Sequence, residues 1–260
     1  MTLRRHDPPT RNHRPKRLPS RALVAFGLAA SIALAAAPVV AADGQLEINA
    51  ACVASGCFPG DAPGYPVEIT KSGSYRLTSN LTQSAVLTPL SVDTISILSA
   101  NVELDLGGFS LTCLSASGVC AGSAAGITNR QTPIANRRNV RVRNGTVSGM
   151  PGTGFEILGD AAVVENVNAT GNAGVGIEAG GVSTFVDSGV GARVSRVVST
   201  RNGGPGIIVG ERALVEHSIS THNGSFSITL TRLNGEASGY TGCVTDDDVF
   251  NVIDLGNNLN

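Results

Sequence analysis

Asn139-Val-Arg-Val-Arg-Asn-Gly-Thr-Val-Ser-Gly-Met-Pro-Gly-Thr-Gly-Phe-Glu-Ile-Leu-Gly159 decides the fold, because the chain repeats its pattern. Val142-Arg-Asn144 realigns with Val164-Glu-Asn166, Val194-Ser-Arg196 and Val215-Glu-His217, at successive offsets of 22, 30 and 21 residues. The same offsets carry Phe155 to Ile177, Ile207 and Ile228, and the last two carry Asn172 to Asn202 and Asn223. Self-similarity at this period marks stacked supersecondary units. Within one unit Val140 and Val142 alternate with Arg141 and Arg143, so the valines face one way and the arginines the other. Asn144-Gly145 turns the chain, Thr146-Val-Ser148 makes a second short strand, and Phe155-Glu-Ile157 makes a third. Each unit is therefore expected to be one coil of an all-β parallel β-helix, each strand bonding to its equivalent one coil along.

The register that follows is specific. Leu104, Val142, Val164, Val194 and Val215 should stack inside the tube, as should Ile95, Ile127, Phe155, Ile177, Ile207 and Ile228. Asn172, Asn202 and Asn223 should bond side chain to side chain along the axis. Gly152, Gly174 and Gly204 recur where a positive φ or a close backbone approach is needed. About five or six coils are expected over residues 75–234. An N-terminal cap at 43–74 and a C-terminal cap at 235–260 would shield the end strands.

Residues 1–42 read as a secretory signal peptide. Seven basic residues lie in the first 21, an alanine-rich apolar run extends from Ala22 to Ala42, and Val40-Ala-Ala42 supplies a small-residue cleavage site. No stable membrane span remains after cleavage, and the expected location is secreted or periplasmic. The whole chain has 19 basic and 20 acidic residues, of which seven and one lie in the leader; the remainder carries 12 and 19, a net charge of −7. That balance repels a polyanionic duplex, so nucleic acid is not an expected partner. Export also permits disulfides. The close pairs Cys52/Cys57 and Cys113/Cys120 are the expected bridges, leaving Cys243 over, although five cysteines admit other pairings.

Two segments carry a family resemblance. Asn49-Ala-Ala-Cys52, with Gly56-Cys57-Phe-Pro-Gly-Asp-Ala-Pro-Gly-Tyr-Pro-Val67 and Gly73-Ser-Tyr-Arg-Leu-Thr-Ser-Asn-Leu81, resembles the opening segment of exported bacterial right-handed parallel β-helix repeat proteins. Asn101-Val-Glu-Leu-Asp-Leu-Gly-Gly-Phe109 and Val142-Arg-Asn-Gly-Thr-Val147 are similar to the coils of that group. The group belongs with the pectin-lyase-like superfamily. The resemblance implies a right-handed helix and a tendency toward polysaccharide ligands; it says much more about fold than about function.

Ligands meet a β-helix on its outward positions. One outward line runs Glu103, Arg141, Val163, Arg193, and its neighbour runs Asp105, Arg143, Glu165, Ser195, Glu216. Such a mixed face can grip a sugar chain, so Glu103, Arg141, Arg193 and Glu216 are the binding candidates. Arg141, Arg143, Asp105 and Glu165 are the candidates for acid/base work. The structural alternative makes Glu103–Arg141, Asp105–Arg143 and Arg143–Glu165 cross-strand ion pairs, and the alternation of sign down the column favours it. Asp246, Asp247 and Asp248 form the densest acidic run and the calcium candidate, but without a spaced calcium loop a solvated loop is the favoured reading. No compact set matches the calcium aspartates of pectate lyases, and the Asn-Thr-Asp, Asp-Asp and Gly-His-Gly motifs of polygalacturonases are missing. The expectation is a non-catalytic protein, monomeric or weakly self-associating, that binds a polysaccharide or cell-envelope component or serves as a surface scaffold. The alternative is a small polysaccharide lyase acting on uronate-containing polymers.

Overall fold

The structure, a computed structural model, describes residues 44–84, 90–115, 120–133, 138–181, 190–230, 238–246, 249–250 and 253–254. The expected signal peptide lies outside the described residues. The one helix among the described residues is the single turn Ala50–Val53, and no helix there is long and apolar enough to cross a membrane. The rest is a parallel β-solenoid built from a 14-stranded and an 8-stranded sheet.

Three ladders of parallel strands run along it. The first follows Leu46–Ile48, Gly73–Leu77, Val102–Asp105, Val140–Ser148, Val163–Thr170, Arg193–Ser195, Leu214–Glu216, Gly239–Thr241 and Ile253–Asp254. The second shares the far halves of the two long strands with Leu81–Ser84, Ser110–Leu114, Val198–Thr200, Ile219–Thr221 and Val244–Thr245. The third, the 8-stranded sheet, follows Val67–Ile69, Ile95–Ile97, Ile127–Thr128, Phe155–Leu158, Ile177–Gly180, Ile207–Val209, Ile228–Leu230 and Val249–Phe250. Strands within 43–74 and 235–260, the segments expected as caps, thus belong to the same ladders.

Burial explains why the chain winds. Val142 pairs with Val164, Val164 with Val194 and Val194 with Val215, all in register and each 0% exposed. Ile127, Phe155, Ile177, Ile207 and Ile228 stack in the same way in the third ladder, fully buried. Each such side chain contributes roughly 1.5–3 kcal/mol by leaving water. A one-residue slip would put every one of them outside, so the pattern dictates the register.

Left-handed residues make the corners. Asn144, Asn166, Arg196 and His217 occupy one corner column with φ between 49° and 61°. Asn101, Asn139, Ala161 and Arg212 occupy another, joining the third ladder to the first, with φ between 49° and 55°. Asparagine tolerates this conformation through local side-chain bonds, whereas alanine and arginine are strained there.

Inside a further bend, Asn172 donates through Nδ2 to Asn202 Oδ1 at 3.0 Å, and Asn202 does the same to Asn223 Oδ1 at 3.0 Å. The same oxygens accept the backbone N–H groups of Asn172 and Asn202 at 3.1 Å. Buried amides are costly unless bonded, and this ladder satisfies both ends of each. Close approach accounts for the glycines beside it: a Cβ on Gly174 would lie 2.8 Å from the Gly152 carbonyl carbon. Their φ values are not positive, so crowding alone selects them. Cys52–Cys57 and Cys113–Cys120 are bonded as expected, and Cys243 is a buried free thiol whose pKa burial pushes up.

Candidate functional site

The outward face of the first ladder collects the charges that the repeat places there. Glu103, Arg141, Val163 and Arg193 are successive register partners, as are Asp105, Arg143, Glu165, Ser195 and Glu216. Arg143 forms a fork, Nε 2.9 Å from Glu103 Oε1 and Nη2 3.1 Å from Asp105 Oδ2. Arg141 Nη1 lies 3.0 Å from Glu165 Oε1, and Arg196 Nη2 lies 3.6 Å from Glu165 Oε2. Arg193 pairs with Glu216.

Of the expected partners, Asp105–Arg143 forms directly across the ladder. Arg141 instead reaches Glu165, Arg143 also reaches Glu103, and Arg193 reaches Glu216, all diagonally. A guanidinium on a long stem spans the roughly 7–8 Å diagonal and there finds carboxylate oxygens at better angles. Ser195, expected on the open line, is fully buried and its hydroxyl has no hydrogen-bond partner among the described residues. Beside these pairs sits a shallow cleft of about 270 Å³, lined by Ser74, Asn101, Glu103, Asn139 and Arg141. Asn139 Nδ2 donates to Asn101 Oδ1 at 2.9 Å, which fixes one wall.

Asp246 does not stand open for a cation. Its Oδ2 accepts the His222 backbone N–H at 2.7 Å and its Oδ1 accepts the Ser227 hydroxyl at 3.1 Å. Desolvation pushes its pKa up, but these bonds and the nearby His222 together hold it below the ordinary value. Asp247 and Asp248 lie outside the described residues. Among the described residues no group of three or more His, Cys, Asp or Glu could hold a metal ion.

A second polar face escaped the reading of the sequence. On the third ladder the outward row runs Glu68, Ser96, Thr128, Glu156, Glu178 in register. Thr128 Oγ1 donates to Glu156 Oε2 at 2.7 Å, and Arg130 Nη1 lies 3.4 Å from the same oxygen. The other arm of Arg130 meets Asp93 Oδ1 at 2.8 Å, an oxygen that also accepts the Ala125 N–H at 2.7 Å. Glu178, one strand on from Glu156, is pushed up to about 7, first by burial and then by the Glu156 charge. Glu178 thus keeps its proton close to neutrality. Next to this row a cleft of about 490 Å³ is lined by the polar Glu68, Asp93, Ser96 and Gln131 and the apolar Pro66, Val92 and Leu98. The signal was present: Thr128, Glu156 and Glu178 follow the aligned Ile127, Phe155 and Ile177, and so stack by the same offsets.

Comparison with protein-family models, curated proteins and solved structures finds no match for this chain.

Proposed function

We propose that the chain is an exported, right-handed β-helix of the pectin-lyase-like kind that binds an extended glycan or another envelope component without transforming it. The observation that carries this reading is the state of the arginines on the first-ladder face. Arg141, Arg143 and Arg193 are each engaged by a carboxylate. A catalytic base must have its nitrogen free to reach the substrate proton, whereas these guanidinium groups are occupied by ion pairs. The same lattice suits binding: its side chains are held in place before a ligand arrives, which lowers the ordering cost of association. The polar cleft of Asn101, Glu103, Asn139 and Arg141 offers donors and acceptors to sugar hydroxyls.

A glycan array on the exported chain, with and without calcium, tests the proposal. Binding to at least one polysaccharide class, weakened by Arg141→Ala, is the expected result. Calcium-dependent release of unsaturated product from a polyuronate, lost in Arg143→Ala, would establish the lyase instead.

A further inference from the structure

We propose that the larger cleft, on the third-ladder face, is a separate binding site for a protonated amino sugar. Two carboxylates, Glu68 and Asp93, line it beside Ser91, Ser96 and Gln131. The Glu68 carboxylate lines it and meets no hydrogen-bond or ion-pair partner among the described residues. Ser96, its register partner one strand along, is only 3% exposed, lines the cleft, and its hydroxyl has no partner among the described residues. Asp93 is 5% exposed, and while Oδ1 is doubly bonded, Oδ2 has no partner among the described residues. Two strands in register set Glu68 and Ser96 about 4.8 Å apart at the backbone. Oxygens of Glu68, Asp93 and Ser96 gathered at one cleft leave acceptors open to a ligand that brings donors.

The ligand must bring positive charge as well, because Arg130 is already shared between Asp93 and Glu156 and leaves Glu68 uncompensated. The apolar part of the lining favours an organic cation over a bare metal ion. Pro66, Val92 and Leu98 present apolar surface, which fits the C–H face of a pyranose ring. A volume of about 490 Å³ lies within the range of small-molecule clefts. An ammonium group placed against Glu68 and Asp93, with ring hydroxyls on Ser96, satisfies each of these demands.

Calorimetric titration of the full chain with glucosamine tetramer tests this, run beside N-acetylglucosamine tetramer, spermidine and calcium chloride. The deacetylated tetramer should bind at least about tenfold more tightly than the acetylated one, since acetylation removes a charge-assisted bond. Glu68→Gln should weaken it by about tenfold or more, and Ser96→Ala by about fivefold. Circular dichroism checks that both variants keep the parent fold; if Glu68→Gln does not, Ser96→Ala decides. Equal affinity for the acetylated tetramer, for spermidine or for calcium overturns the proposal, as does unchanged binding in the folded variants. Arg141→Ala, on the other face, should leave this binding untouched while weakening the glycan binding proposed above, so the two readings fail separately.

Discussion

The first-ladder and third-ladder faces sit on the same coils, yet they handle acidic residues in opposite ways. On the first, every carboxylate from Glu103 to Glu216 named above has an arginine within reach, and the face neutralises itself. On the third, one arginine serves Asp93 and Glu156, while Glu68 has no partner among the described residues and Glu178 keeps its proton close to neutrality. Equal backbone geometry therefore does not imply equal chemistry. A charge column that alternates in sign stabilises itself modestly, whereas two glutamates in register must give up a charge or recruit one.

The largest expected effect that bears on this contrast comes from Glu178. An unfolded glutamate releases its proton near 4.5, and the folded one near 7. The folded chain binds the extra proton between those values, so the stability from this group is fully present below about pH 4.5. It is lost as pH rises to about 7, amounting to at most about 3 kcal/mol. Glu178→Gln should match the parent in urea denaturation at pH 4 and exceed it at pH 8. An unchanged decline from pH 4.5 to 7 in the variant would remove Glu178 as its source.

A smaller gain tests the corner where the two faces join. Ala161 holds φ at 52°, in a column where Gly191 stands one coil on, at 77°. Ala161→Gly should raise stability by about 1 kcal/mol, the left-handed strain relieved outweighing the entropy glycine adds to the unfolded chain. Thermal melting that falls in this variant would show the corner to be unstrained. The smallest effect belongs to the self-neutralised face. Arg143→Ala should cost no more than about 1 kcal/mol despite its two partners, because the pairs are solvated. The difference from the parent should vanish in concentrated salt; a loss that persists there would mean packing rather than charge.

Much of this molecule was legible beforehand, for a plain reason. Period-two alternation inside a period near two dozen fixes which side chains are inward, and inward aliphatics such as Val142 and Val194 leave one register. The asparagine ladder followed from the same offsets, and the two cysteine pairs from their closeness along an exported chain. What went unread depended on directions around the tube. The diagonal reach of Arg141 to Glu165 depends on rotamers, which spacing does not reveal. The burial of Ser195 could not be inferred from its place on an outward line.

By itself, then, the order of residues determined a chain that stacks valine on valine and isoleucine on isoleucine, because only one winding hides them all. Tertiary structure decided which polar groups would be short of partners. Asp93 and Arg130 lie 37 residues apart and meet only once the coils are stacked. Whether Glu178 is ionised, and whether the Ser96 hydroxyl is left waiting for a ligand, depends on how much water the folded surface admits, and that is a property of the assembled face.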